Sequence, residues 1–153
     1  MPRIVRCQAA IVRDHHILLI KLFNTVEESG YWVIPGGGRE DGETEEQCVR
    51  REMREETHLD VAVERLLLDE PGNPGGVYQR YKTYLCRPIA GEARPGCEPE
   101  PEAARIYIIQ DVRWLDLQDE TAWGLEVTDD PITYPLLQRI QSALGYDYVE
   151  RNE

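Results

Sequence analysis

Apolar positions recur along this chain with two different periods. Residues 4–12 and 17–23 are rich in Ile, Leu, Val and Ala. Asp14, His15 and His16 separate them, a pattern that predicts two strands joined as a hairpin. Residues 24–30 are polar and read as a loop. Residues 31–34 predict a short strand, which Pro35 and the run Gly36, Gly37, Gly38 should stop, because neither continues regular structure cheaply. Residues 61–68 and 77–89 predict strands on either side of a Pro- and Gly-rich loop at 71–76. Residues 105–115 predict another strand, broken at Gln110 and Asp111. Two segments change to the helical period. Thr44 and Gln47 form a T-x-x-Q capping box for a helix running to about Thr57, with acidic residues in its first turn. Leu136, Leu137, Ile140, Ala143 and Leu144 fall at i, i+1, i+4, i+7 and i+8, so residues 135–144 predict a second helix, with Pro135 in its first turn and Gly145 after its end. The stretch 119–131 supports no assignment. Strands dominate, with helices between them and at the end. The expected architecture is a mixed sheet flanked by helices, in one α/β domain spanning residues 1–153.

Charge adds a constraint. The chain carries 17 basic and 29 acidic side chains, a net charge of −12. Such a surface repels a phosphate backbone and argues against general nucleic-acid binding, but not against nucleotides held through a metal. Residues 40–60 alone carry nine acidic and three basic side chains, and residues 92–130 eleven and three. Cys7, Cys48, Cys86 and Cys97 match no zinc or redox spacing and read as free thiols of a reducing compartment. The apolar run 17–20 is far too short for a signal peptide or a membrane span. A cytoplasmic protein without membrane contact is the expectation.

The densest chemistry lies in the acidic stretch. Glu52, Glu55 and Glu56 stand at i, i+3 and i+4 and share one face of the predicted helix. Like charges that close destabilise a helix unless a cation neutralises them, and hard divalent ions such as Mg2+ take oxygen ligands of this kind. Val49 and Met53 border that face and are placed to anchor the helix on the sheet. Arg51 stands four residues before Glu55 and is placed to orient it.

The wider spacing is more specific. From Gly37 the chain reads Gly37-x5-Glu43-x7-Arg51-Glu52-Met53-x-Glu55-Glu56-x-His58-Leu59. Residues 37–59 thereby resemble the box of the Nudix (MutT-type) hydrolases, G-x5-E-x7-R-E-U-x-E-E-x-G-U, where U is bulky and apolar. The approach Trp32-Val33-Ile34-Pro35-Gly36-Gly37-Gly38 resembles the family too. Composition alone would place those six polar residues at that spacing in roughly one such chain in 10⁴. One position departs: the family has Gly where this chain has His58. A Gly there would end the helix in a left-handed residue. His adopts that conformation at a cost of about 1 kcal/mol.

The resemblance implies an α/β/α sandwich and Mg2+-dependent (or Mn2+-dependent) hydrolysis of a nucleoside diphosphate linked to another group. It implies that Glu52, Glu55 and Glu56 are metal ligands, and that Arg51 and Glu43 fix those carboxylates. Gly36, Gly37 and Gly38 would shape the start of the helix and let backbone approach the phosphates. The base that takes the water's proton would be one of the three ligands, or a Glu of the later loop that carries Glu98, Glu100 and Glu102. Lys21 is a candidate phosphate contact, and Tyr31, Trp32 and Tyr81 are candidates to stack on a base. Substrates left open are nucleoside triphosphates, ADP-ribose and other nucleotide sugars, and dinucleoside polyphosphates. Pro74, 15 residues beyond Leu59, is placed as in ADP-ribose-cleaving members. Two other classes stay open: an idle nucleotide-sensing module of the same fold, and an acidic interaction domain. Oligomeric state is open as well, a homodimer included.

Overall fold

A computed structural model describes residues 4–72, 74–97 and 106–146. The predicted hairpin is present. Strands β1 (Val5–Arg13) and β2 (His16–Asn24) are joined by Asp14 and His15. Both joining residues are left-handed, at φ 50° and 64°, as the tightest hairpin turns require. The two strands pair only next to this turn, at Val12–Ile17 and Arg13–His16, and then diverge. The fork is filled by two consecutive strands. β3 (Ser29–Val33) pairs antiparallel with β2, and β4 (Gly36–Gly38) pairs antiparallel with β1. On its other edge β1 runs parallel to β6 (Arg80–Ala90), which pairs with β5 (Asp60–Pro71); β2 pairs with β7 (Tyr107–Asp116). The result is a mixed seven-stranded sheet.

Helices cover both faces. α1 (Glu45–Thr57) lies on one; the short α2 (Leu125–Thr128) and α3 (Thr133–Leu144) lie on the other. Strand alternation sorts side chains between them. Cys7, Ala9 and Ile11 of β1 and Leu18 of β2 pack with Cys48, Val49 and Met53 of α1. Ala10, Ile17 and Leu19 pack with Trp123, Val127, Leu137 and Ile140.

Four details correct the sequence expectations. The glycine run does not end regular structure: Gly36–Gly38 is itself a strand, and its place against β1 requires glycine. A Cβ on Gly36 would lie 2.6 Å from the Cys7 carbonyl oxygen. Residues 77–79 belong to the loop, and β6 starts at Arg80. β7 is not broken at Gln110. It continues through a bulge there, since Lys21 faces Asp111 and Leu22 faces Ile109. α3 begins at Thr133 because the Asp130 carboxylate accepts the Ile132 and Thr133 N–H groups, both at 2.9 Å. The unassigned stretch holds a 3-10 turn (Glu120–Ala122) and α2, gathered around the fully buried Trp123. All four cysteines are free thiols. Among the described residues no helix is long and apolar enough to cross a membrane.

Candidate functional site

The capping box sets the start of α1. Thr44 Oγ1 accepts the Gln47 N–H at 3.1 Å, and Gln47 Oε1 accepts the Thr44 N–H at 2.8 Å. The fully buried Val49 and Met53 fix the helix on the sheet. That rotation drives two carboxylates inward: Glu52 and Glu56 are each 1% exposed, while the Glu55 side chain stays 34% exposed.

Buried carboxylates need partners. The Gly36 N–H donates to Glu56 Oε1 at 2.8 Å. Arg51 serves the others. Its Nη1 donates to Glu52 Oε1 at 3.0 Å and to Glu55 Oε2 at 3.2 Å. Its Nε and Nη2 grip both oxygens of Glu43, at 2.9 and 2.7 Å, a two-pronged pair. Nη2 also reaches the Gly38 carbonyl at 3.3 Å. The guanidinium holds the Glu43 carboxyl down at about 2, helped by the Glu40 N–H, and Glu43 in turn pushes the Arg51 pKa up. Arg51 and Glu43 therefore hold each other charged and hold Glu52 and Glu55 in place.

The β4 strand closes the other side. A Cβ on Gly37 would land on the Glu52 carboxylate. The missing side chain leaves that carboxylate facing bare backbone.

The donor set is all oxygen, three carboxylates on one helix face, and it fits a hard divalent cation rather than zinc. Among the described residues no three His, Cys, Asp or Glu side chains are gathered closely enough to hold an ion. Arg51 and the Gly36 N–H spread the carboxylates among themselves. Seating an ion would mean exchanging part of the Arg51 contact for the cation.

The remaining candidates divide. Lys21 is engaged away from α1, 3.8 Å from Glu126 of α2 and 5.8 Å from the centre of the Trp32 ring. Trp32 is 5% exposed, belongs to the core on the α3 side, and donates Nε1–H to Glu126 at 2.8 Å. Tyr31 and Tyr81 line a cavity of about 500 Å³ that Thr133, Leu136 and Arg139 of α3 also border. Glu98, Glu100 and Glu102 lie outside the described residues.

That cavity is where sequence reasoning missed residues. Arg6, Gln8, Tyr78 and Arg139 line it. Arg6 also reaches the glycine strand from this side, donating to the Gly36 carbonyl at 3.1 Å. One signal was present: Arg6 and Gln8 are polar at i and i+2 in an otherwise apolar strand, which places both on one face. Tyr78 had none, because it lies outside a strand.

A family model described as the NUDIX domain matches residues 3–139. The NAD-capped RNA hydrolase NudC of Vibrio vulnificus is 41% identical over 96 residues, covering 61% of this chain and 35% of that protein. The ADP-ribose pyrophosphatase of Methanocaldococcus jannaschii is 44% identical over 63 residues, 41% of this chain and 37% of that protein. The crystal structure of a MutT NUDIX hydrolase from Burkholderia pseudomallei superposes with a TM-score of 0.58 at 30% identity, covering 95% of this chain and 98% of that one. The chain spans between 26% and 37% of the length of the curated relatives it matches.

Proposed function

Because this chain belongs to the Nudix family, we propose that it hydrolyses a phosphoanhydride bond in a nucleoside diphosphate linked to a second group. Glu52, Glu55 and Glu56 would hold one or more divalent ions, Mg2+ or Mn2+. Bound there, such an ion neutralises phosphate oxygens and lowers the pKa of a water. The observation that carries the reading is the carboxylate face of α1 set against a strand with no side chains, Gly36–Gly38, and tied down by the Arg51–Glu43 pair.

The chain's own residues have defined tasks. Glu43 keeps Arg51 oriented. Arg51 donates to both Glu52 and Glu55 and keeps them aimed alike. The Gly36 N–H fixes Glu56. Glu55, the most exposed of the three, is the one a substrate reaches first. One of these carboxylates, or one of Glu98, Glu100 and Glu102, takes the proton of the attacking water. The aromatic cavity on the far side of β4 has the size and lining of a small-molecule site, and Arg6 joins it to Gly36. It would take the nucleoside end.

The names of the two curated relatives both point to compounds with an adenosine diphosphate ribosyl group, so such compounds head the list of substrates. The net charge of −12 favours a small molecule over a long RNA. The test is product analysis by chromatography and mass spectrometry on ADP-ribose, NAD, nucleoside triphosphates and a dinucleoside polyphosphate, with Mg2+, with Mn2+ and with EDTA. Cleavage of at least one diphosphate that stops in EDTA and returns with either ion is expected. Tight binding without turnover across the panel would instead mark an idle sensing module. Turnover that survives thorough chelation would remove the metal from the proposal.

A further inference from the structure

An α-helix leaves its last four carbonyls without partners inside the helix. In α1 all four are satisfied. Arg54 O accepts the His58 N–H at 3.2 Å, within the helix end itself. The other three partners come from a distant segment. Thr57 O accepts the Arg94 N–H at 3.1 Å, Glu56 O the Gly96 N–H at 2.9 Å, and Glu55 O the Cys97 N–H at 2.8 Å. Residues 94–97 thus lie as a strap along the end of the helix. Two features hold the strap there. A Cβ on Gly96 would collide with the Glu55 carbonyl, so only glycine allows this approach. His58 is left-handed at φ 62°, and its Nε2–H reaches the Pro95 carbonyl at 3.2 Å.

His58 is the one departure from the box pattern, and a glycine there would supply the left-handed backbone without the bond to Pro95. We infer that residues 94–97, latched by His58, are a positioning element for the catalytic end of α1. The strap fixes the backbone of Glu55 and Glu56, two of the three residues whose carboxylates carry the proposed chemistry. This inference rests on the function proposed above for those carboxylates. His58 and Gly96 are positioning residues, acting through the main chain of Glu55 and Glu56 and not on the substrate.

Hydrogen exchange and kinetics test it together, on the full chain. The variants are Gly96→Ala, which pushes the strap off; His58→Gly, which keeps the left-handed backbone and removes the latch; and His58→Asn, which tolerates that backbone and retains a side-chain donor. In Gly96→Ala the amides at positions 96 and 97 should exchange at least about tenfold faster, with core amides of β1 unchanged. Its kcat should fall about 10–100-fold, the range seen when groups orienting metal ligands are lost, with KM within about twofold. Mn2+ affinity, read by titration calorimetry, should weaken in parallel. His58→Gly should show the same pattern, a few-fold in each, and His58→Asn should recover part of it.

Unchanged exchange in Gly96→Ala and His58→Gly would overturn the strap. Faster exchange with unaltered kcat and Mn2+ affinity would reduce it to a cap with no role in positioning. A native chain that cleaves no diphosphate would overturn the proposed function, and exchange with Mn2+ affinity would then judge the strap separately.

Discussion

The two faces of the sheet solve opposite packing problems. On the α3 face the core is large and apolar: Trp32, Trp123, Leu137 and Ile140 fill it, and its buried polar groups, such as Thr133 and Gln141, are neutral. On the α1 face the small Cys7, Ala9 and Cys48 sit among Ile11, Leu18, Val49 and Met53. That face also buries Glu52 and Glu56, the only fully buried acidic side chains among the described residues. Bulk stabilises the first face. The second gives up bulk along Gly36–Gly38 so that helix and glycine strand approach closely, and it hydrogen-bonds charges that would otherwise destabilise the fold. One face supplies stability so that the other can hold a site.

That division can be broken from either side. The largest expected effect is on the apolar face. Trp123→Ala removes a fully buried ring whose Nε1 donates to the Asp116 carbonyl at 2.6 Å. It should cost about 3–5 kcal/mol in a denaturant melt while turnover per folded molecule stays near native. A similar loss of turnover in the folded fraction would mean that the two faces are coupled.

Next come Glu55→Gln and Glu56→Gln. Each keeps shape and an acceptor oxygen but loses a hard anionic ligand. Turnover with excess Mg2+ should drop at least about 10²-fold, equivalent to roughly 2.7 kcal/mol in the barrier. Thermal melts should move little, and upward movement would reflect relieved repulsion. Near-normal rates in both would remove them from the site.

Gly37→Ala probes the close approach directly, since its Cβ falls on the Glu52 carboxylate. Overpacking should cost about 1–3 kcal/mol and should also lower turnover, because the displaced group belongs to the site. Loss of stability alone would place Glu52 outside the chemistry.

The smallest effect appears only in acid. The Arg51 guanidinium lowers the Glu43 carboxyl from its ordinary 4.5 to about 2 in the fold. A group lowered on folding adds stability that is fully present above the ordinary value and is lost as pH falls through the folded one. Native protein should therefore lose its advantage over Glu43→Gln between about pH 4.5 and 2, followed by urea melts across that range. An advantage independent of pH would mean that the Arg51–Glu43 pair is not its source.

Much of this was legible in the chain because it depends on neighbours in sequence. The capping box, the shared face of Glu52, Glu55 and Glu56, the reach of Arg51 to Glu55 and the left-handed His58 all follow from helical geometry over a few residues. The hairpin follows from alternating apolar residues around a short turn. The glycine run was misread for the opposite reason. Its conformation is decided by β1 and by the Glu52 side chain, far away in sequence, and nothing in three adjacent glycines records those partners. Trp32 and Tyr31 are adjacent and similar in composition. Strand alternation alone sends one into the core and leaves the other at the cavity, and which face is which depends on where α2 and α3 dock. The strap of residues 94–97 is the furthest from sequence reading. Three of its bonds are main chain to main chain and carry no residue code beyond the glycine that lets the backbones touch; the fourth, from His58 to the Pro95 carbonyl, has a partner 37 residues away. Local periodicity and spacing thus determined the helix, its charged face and the family. The tertiary fold decided how buried each carboxylate is, which partner it has and what closes the helix end, because those depend on long-range backbone contacts that side-chain identity does not encode.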